Sequence, residues 1–190
     1  KLTRMKKMSV VGAGTMGNGI AQVFAQTGWH VTLIDVQAQQ LEKALQTIGK
    51  NLDRLITKGI LPADAKEKTL GNLTTSTSIQ EGVKDSSIVI EAATENQSIK
   101  LAIFKQIDQF AAAECILATN TSSIPIQIIA KATSRPDKVI GMHFMNPVPI
   151  MKLVEIIKGS ETSNIVADTI VTMSKELGKV PCVVNDFPGF

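Results

Sequence analysis

The feature that most constrains the fold of this chain is a glycine-rich turn between a short apolar segment and a helical pattern. Residues 8–11 are apolar apart from one serine, and glycine follows at positions 12, 14 and 17. In such a turn the first glycine allows a tight reversal, the second lets the backbone approach a phosphate, and the third lets the helix pack closely on the strand. The pattern predicts a helix N-terminus whose free N–H groups bind a phosphate. The residues predicted to hold the pyrophosphate of a dinucleotide are Gly12, Gly14, Thr15, Met16 and Gly17.

An aspartate at the end of the next predicted strand indicates which dinucleotide fits. The strand covers residues 30–34 and is followed by Asp35. An acidic side chain at this place accepts hydrogen bonds from a ribose 2′-OH and repels a 2′-phosphate. The arginines, which would favour a 2′-phosphate, stand at positions 4, 54 and 135, far from Asp35 in the sequence. The sequence therefore predicts NAD rather than NADP, and the alternative is a tightly packed strand and helix without a ligand.

Short apolar segments alternate with helical patterns along almost the whole chain. This alternation predicts an α/β fold, a doubly wound and mostly parallel sheet of the Rossmann type, covered by helices on both faces. Helical periodicity marks segments around 20–25, 41–55, 99–110 and 166–177, and Pro62 is suited to begin a further helix. The predicted strands are 8–11, 30–34, 87–92, 116–118, 139–144, 153–157 and 180–184.

Composition excludes several classes of protein. The chain has 190 residues, of which 44% are hydrophobic and 19% charged, so one domain with a buried core is expected. A net charge of +3 and an aromatic content of 4% argue against a nucleic-acid partner, and no apolar run is long enough to predict a membrane span. Cys115 and Cys182 match no metal or redox spacing, which predicts reduced thiols, no metal site and a cytoplasmic location.

A histidine follows the apolar residues of one predicted strand at the edge where ligands bind in an open parallel sheet. His143 comes directly after residues 139–142 and lies where a nicotinamide would reach. From its position alone, His143 is as well explained by a structural role as by a catalytic one.

A glutamate within the apolar run 153–157 needs a partner, because an unpaired buried charge is costly. The simple alternative is an ion pair of Glu155 with Lys152 or Lys158, but an odd spacing in a strand sends those lysines to the opposite face. If the chain turns back after the prolines at 147 and 149, Glu155 can meet His143. A carboxylate orients the imidazole, and the pair can abstract a proton from an alcohol as hydride leaves its carbon.

Three cations recur every four residues on the long predicted helix. Lys50, Arg54 and Lys58 lie on one side, opposite the apolar stripe. They predict either a solvated basic face or a site for the phosphates of a coenzyme.

These residues lie in segments that resemble the 3-hydroxyacyl-CoA dehydrogenase family, in particular its bacterial 3-hydroxybutyryl-CoA type. The matching segments are GAGTMGNGIAQVFAQTG at 12–28, ATNTSSIPI at 118–126 and GMHFMNPVPIMKLVEII at 141–157, and the resemblance covers essentially the whole chain. It implies NAD-dependent, reversible oxidation of an L-3-hydroxyacyl-CoA to a 3-ketoacyl-CoA, within fatty acid and butyrate metabolism. It also implies an acyl-CoA substrate and a homodimer.

The resemblance implies roles for individual residues. His143 and Glu155 match the catalytic dyad, Ser122 matches a serine that holds the substrate oxygen near the nicotinamide and the coenzyme, and Asn146 matches an asparagine beside the nicotinamide and the thioester. Glu95 and Lys100 match cofactor contacts, and Lys58 matches a lysine at the coenzyme A phosphates. Asn51 stands where some members have a CoA-contacting serine, so that contact departs from the family pattern.

The two ends of the chain carry expectations of their own. We expect residues 1–7 to be a vector-derived or disordered start, 8–186 to form the NAD-binding domain, and 187–190 to begin a linker. Family members continue into a helical dimerisation domain, so the chain is expected to be the cofactor domain of a longer protein. The alternatives are an NAD-binding module that is inactive by itself and a dehydrogenase of free hydroxy acids.

Overall fold

The computed structural model describes residues 6–186 as one α/β unit. The first strand begins at Lys7, which pairs with His30 on the neighbouring strand, one residue before the predicted start of this strand. Residues 1–5 of the expected start, and the expected linker at 187–190, lie outside the described residues.

Eight strands and seven α-helices follow one another in the described part of the chain, with a short 3-10 helix at Pro136–Lys138. The strands are β1 Lys7–Val11, β2 His30–Ile34, β3 Leu73–Ser76, β4 Ile88–Glu91, β5 Ile116–Thr119, β6 Val139–Phe144, β7 Leu153–Lys158 and β8 Val180–Asn185. The helices are α1 Thr15–Gln26, α2 Ala38–Thr57, α3 Ala65–Gly71, α4 Ile79–Val83, α5 Gln97–Phe110, α6 Ile126–Ala130 and α7 Asn164–Glu176.

The strands form one sheet in the order β3-β2-β1-β4-β5-β6-β7-β8. The pairs from β3 to β6 are parallel, β6 and β7 are antiparallel, and β7 and β8 are parallel again. The order reverses at β1, between β2 and β4, which is the switch point where such sheets open a crevice for a dinucleotide. The predicted doubly wound, mostly parallel sheet is confirmed.

The core lies in two layers, one on each face of the sheet. On one face, α1, α2 and α7 contribute Phe24, Leu41 and Ile170 to an apolar cluster with the strands. On the other face, α5 and α6 contribute Phe104 and Ile126 to a second cluster. Burial of both faces explains why the central strands are continuous apolar runs without alternating polar residues.

The structure differs from the predicted elements where segments are short or polar. The edge strand Leu73–Ser76 was not predicted, because its sequence LTTS is polar and its side chains are half-buried or exposed. Helices α4 and α6 have five residues each, too few to reveal a helical period. Helix α3 begins at Ala65, three residues after the predicted start at Pro62.

The described residues 6–186 include no helix that is long and apolar enough to cross a membrane. They also include no group of three or more His, Cys, Asp or Glu side chains placed to hold a metal ion. Cys115 is buried and Cys182 is exposed, and both are free thiols.

Candidate functional site

The glycine turn joins β1 to α1 in the form that the sequence predicts. Gly12 has φ 107°, a conformation that favours glycine, and its N–H donates to the carbonyl of Ile34 over 2.7 Å. A Cβ on Gly12 would come within 2.7 Å of the Ala92 carbonyl oxygen, and a Cβ on Gly17 would overlap the carbonyl of Gly12 itself. Both glycines are therefore required by close backbone packing.

Gly14 has a different surrounding, because nothing lies within 4 Å of the position of its absent Cβ. It is the N-cap of α1, and within the described residues no side chain caps this helix end or places an acid in its first turn. The first N–H groups of α1 are thus available to an anion above Gly14. These residues fit the pyrophosphate of a dinucleotide.

Asp35 joins the glycine turn to the start of α2. Its Oδ2 accepts from the N–H of Ala13 over 3.0 Å, and its Oδ1 accepts from the N–H of Gln37 over 2.9 Å. Each carboxylate oxygen keeps a lone pair for a further donor such as a ribose hydroxyl. Arg135 lies elsewhere, donating to Asp108 over 2.8 Å and to backbone carbonyls after α5, so it offers no partner for a 2′-phosphate.

His143 and Glu155 form the predicted pair. The antiparallel register of β6 and β7 places them directly opposite, and 3.2 Å separates His143 Nδ1 from Glu155 Oε2. The two side chains are 21% and 32% exposed, so both are partly withdrawn from water and still reachable. When Nδ1–H donates to the carboxylate, Nε2 is left with a lone pair that can accept a proton. The alternative pairing is wrong for Lys158, whose Nζ donates to Asn164.

The loop after β5 is anchored by two hydroxyl groups that donate hydrogen bonds to the same glutamate side chain. Thr121 Oγ1 and Ser123 Oγ donate to Glu95 Oε2 over 2.8 and 2.7 Å. Asn120 Oδ1 accepts from the N–H of Phe144 over 2.8 Å, which ties the loop to β6. Between these anchored residues the side chain of Ser122 is exposed. The loop therefore presents Ser122 at the carboxyl edge of the sheet.

Beneath this loop lies a buried ion pair that the sequence reasoning did not find. Glu91, at the end of β4, is fully buried and accepts from Lys100 Nζ, Thr119 Oγ1 and the N–H of Ala93. Lys100 is 1% exposed and its ammonium group points to Glu91. That Lys100 contacts the cofactor stays a prediction. In the structure its ammonium group pairs with the carboxylate of Glu91 inside the protein. The sequence feature that could have indicated this ion pair is Glu91, a glutamate at the end of an apolar run.

A cavity of about 340 Å³ opens beside the glycine turn. Its walls are the turn with the first residues of α1, one face of α2, and the segment 146–149 after β6. Asn146, which was predicted near the nicotinamide, lines this cavity. Sequence reasoning missed three polar residues that α2 contributes to the wall, which are Gln40, Lys43 and Thr47, whereas Asn51, which was singled out beside the coenzyme, lines the same wall.

A second cavity of about 210 Å³ continues along α2, with Arg54 and Lys58 in its wall. The two cavities share Asn51 and the prolines at 147 and 149, so they form neighbouring parts of one groove between α2 and the segment 146–150. The cations that line the groove differ at one position from the predicted basic face of Lys50, Arg54 and Lys58. Lys50 lines neither cavity, whereas Lys43 lines the first.

Known proteins are similar to this chain in sequence and in fold. A family model described as "3-hydroxyacyl-CoA dehydrogenase, NAD binding domain" matches residues 7–187. The 3-hydroxybutyryl-CoA dehydrogenase of Clostridioides difficile is 46% identical over 184 residues, which are 97% of this chain and 65% of that protein. The human mitochondrial hydroxyacyl-coenzyme A dehydrogenase is 44% identical over 191 residues, covering 98% of this chain and 61% of that protein.

A solved structure agrees with this relationship. The crystal structure of (S)-3-hydroxybutyryl-CoA dehydrogenase from Ralstonia eutropha superposes with a TM-score of 0.95 at 46% identity, covering 98% of this chain and 66% of that one. The chain thus spans slightly less than two thirds of the length of these relatives. With the glycine turn, Asp35 and the His143–Glu155 pair in place, the match over residues 7–187 shows that the chain belongs to the 3-hydroxyacyl-CoA dehydrogenase family, whose NAD-binding domain it contains.

Proposed function

We propose that the protein containing this chain is an NAD-dependent dehydrogenase that oxidises the 3-hydroxyl of an L-3-hydroxyacyl-CoA, such as 3-hydroxybutyryl-CoA, to a ketone, reversibly. The observation that carries the proposal is the 3.2 Å contact between His143 Nδ1 and Glu155 Oε2 at the carboxyl edge of the sheet. This pair supplies a base at the place where the switch-point crevice holds a nicotinamide.

The reaction needs the removal of a proton and of a hydride from the same alcohol. In the proposed mechanism His143 Nε2 accepts the hydroxyl proton, and the adjacent carboxylate of Glu155 stabilises the imidazolium that forms. NAD supplies the acceptor for the hydride that leaves the carbon. Ser122 and Asn146 hold the substrate oxygen and the thioester, and in the reverse direction His143 returns its proton to the ketone oxygen. Glu95, Lys100, Ser122 and Asn146 complete the proposed cofactor contacts.

The groove along α2 supports an acyl-CoA substrate. It is lined by Lys43 in the cavity beside the glycine turn and by Arg54 and Lys58 in the neighbouring cavity. Coenzyme A carries a pyrophosphate and a further phosphate at the end remote from the thioester, and cations attract them. We place the phosphates along α2, with Asn51 at the junction of the cavities, and the thioester toward Asn146 and His143.

The proposed chemistry is tested by changing His143 to Gln in the full-length protein. Turnover of acetoacetyl-CoA with NADH should fall by roughly 10³-fold or more, since the base is lost, while NADH affinity stays within twofold. The matched control is His30→Gln, because His30 is exposed and lies at the start of β2. Unchanged turnover in His143→Gln would remove the assignment.

Two alternative functions are an NAD-binding module that is inactive by itself and a dehydrogenase of free hydroxy acids. An NAD-binding module without turnover of its own is favoured by the 61–66% of the relatives' length that this chain spans. Acetoacetyl-CoA-dependent oxidation of NADH by this chain alone would contradict that reading. A dehydrogenase of free hydroxy acids is separated from the main proposal by a substrate panel with and without the CoA group.

The oligomeric state and the cellular location of the full-length protein are also proposals. We propose a homodimer for the full-length protein, formed through the length that the relatives have and this chain does not match, and light scattering would test it. A cytoplasmic location is supported by the two free thiols, Cys115 and Cys182. Fractionation of cells that express the natural gene would test the location.

A further inference from the structure

Lys179 is a buried lysine whose ammonium group binds backbone carbonyls instead of a carboxylate. It is 9% exposed, and Nζ donates to the carbonyl oxygens of Val148 over 2.5 Å and of Met151 over 2.7 Å. Of the buried charged side chains in residues 6–186, Glu91 pairs with Lys100 and Arg135 with Asp108, whereas Lys179 has no ion pair.

An unpaired buried charge is costly to fold, so its position calls for a physical reason. Burial and the nearby charge of Lys152 both lower the pKa of the Lys179 ammonium group. What offsets part of this cost is the pair of carbonyl acceptors on one short segment, residues 147–151. The lysine is therefore built to hold that segment.

The segment 147–151 is the connection between the two catalytic strands. The N–H groups of Ile150 and Met151 both donate to the carbonyl of Pro147, which closes a turn between β6 and β7. Asn146 directly precedes the turn, and Pro147 and Pro149 form the wall shared by both cavities. The placement of this turn consequently sets the width of the groove.

The opposite side of the turn rests on the helix that follows the glycine turn. Val148 is 2% exposed, and a Cβ added to Gly19 of α1 would lie 2.8 Å from Val148 Cβ. The backbone around Lys179 is itself held in place. The N–H of Lys179 donates to the carbonyl of Ser174 in α7, and the N–H of Val180 donates to the carbonyl of Lys152. The turn is held between α1 on one side and Lys179 on the other.

We propose that Lys179 is a positioning residue for substrate binding, which acts by holding the 147–151 turn against α1 and so fixes the groove wall formed by Pro147 and Pro149. The kinetic consequence of this inference rests on the proposed acyl-CoA dehydrogenase function. The structural consequence, the position of the 147–151 turn, does not depend on that function. The hydrogen bonds of Lys179 go to Val148, Met151 and Ser174 and not to Asp35 or the glycine turn, so its loss affects the acyl-CoA side of the site more than NAD.

The structural consequence is tested by hydrogen exchange on Lys179→Met, which keeps the apolar stem and removes the charge and the donors. The amides of Ile150 and Met151 should exchange about tenfold faster than in the unmodified protein, while those of β1 and α1 stay unchanged. Lys175→Met is the matched control, since Lys175 is exposed on α7 and four residues away. Unchanged exchange in Lys179→Met would overturn the inference, whatever the activity of the protein.

The kinetic consequence is tested on the full-length protein. In Lys179→Met the KM for acetoacetyl-CoA should rise about tenfold, with the Kd for NADH within twofold, because only the wall is displaced. Lys179→Gln, which keeps one neutral donor, should give a smaller rise and serves if the Met variant does not fold. Equal losses in KM, kcat and NADH binding that follow the fall in Tm would show a general structural role and overturn the proposal. An unmodified protein without activity would instead contradict the proposed function and leave the exchange result decisive.

Discussion

His143 on β6 and Glu155 on β7 stand directly opposite one another, and their side chains meet at 3.2 Å between Nδ1 and Oε2. The two strands run antiparallel, unlike the parallel pairs on the other side of β6, so the chain has to reverse between them. The reversal brings together an imidazole and a carboxylate that are twelve residues apart in the sequence, and we propose that they act as base and orienting group.

The first prediction concerns the charge of Glu155. Glu155→Gln keeps the shape of the side chain and an acceptor for Nδ1–H, but it removes the negative charge that stabilises the imidazolium. We expect kcat with acetoacetyl-CoA and NADH to fall by roughly 10²–10³-fold, with little change in NADH affinity. Glu161→Gln, at an exposed carboxylate, serves as the control. A kcat within twofold of the unmodified protein would show that the carboxylate has no part in the reaction.

The second prediction separates two glycines of the same turn. Gly14→Ala should leave the free energy of unfolding within about 0.5 kcal/mol, because no atom lies within 4 Å of the new methyl group. It should nevertheless weaken NADH binding at least about tenfold, since the methyl group occupies the approach to the pyrophosphate. Gly12→Ala should instead cost about 1–3 kcal/mol, because φ is 107° and the Ala92 carbonyl is in the way. Denaturant unfolding and NADH fluorescence titration measure the two effects, and equal stability losses would contradict the distinction.

The third prediction distinguishes the lysines of α2. Lys43→Met should raise the KM for acetoacetyl-CoA about five- to tenfold, because Lys43 lines the groove and its attraction for a phosphate is lost. Lys50→Met removes the same charge from the same helix outside both cavities and should change KM less than twofold. The difference should shrink at high ionic strength, where the charge interaction is screened. Steady-state kinetics of both variants at two salt concentrations provides the measurement, and the reverse order would place the coenzyme elsewhere.

The fourth prediction concerns alkaline pH. Burial raises the pKa of the Cys115 thiol from 9.0 to about 12. The folded protein therefore keeps this proton where the unfolded chain releases it, so stability falls as pH rises from 9 to about 12, and the thiol contributes nothing to this dependence at pH 7. The expected loss is on the order of 1 kcal/mol for each pH unit in that window.

Urea unfolding between pH 8 and 10.5 would measure this loss. Cys115→Ala should have a shallower pH dependence than Cys182→Ala, because Cys182 is exposed. A thiol reagent should modify Cys182 rapidly and Cys115 only on unfolding. Parallel pH profiles of the two variants would contradict the assignment to Cys115.

Much of the fold was predictable because its signals are local. The apolar runs that became β2 and β6 have the predicted bounds, and the glycine turn has the predicted geometry because Gly12 and Gly17 have no room for a Cβ. The polar edge strand Leu73–Ser76 was missed, since it forms only by pairing with β2. A strand of this kind carries no apolar run or alternation that a reader of the sequence could recognise.

Local sequence was enough to predict the alternation of strands and helices, the glycine turn, Asp35 and the catalytic candidates, because each depends on residues close together in the chain. The pairings between distant residues came from the packing of the elements. The antiparallel register joined Glu155 to His143 and left Lys158 with Asn164, and the docking of α2 put Lys43 in the groove wall and left Lys50 outside it. Lys179 shows the same limit, since a lysine after a helix is usually exposed, and only the packing of the 147–151 turn gives its buried charge two carbonyl partners.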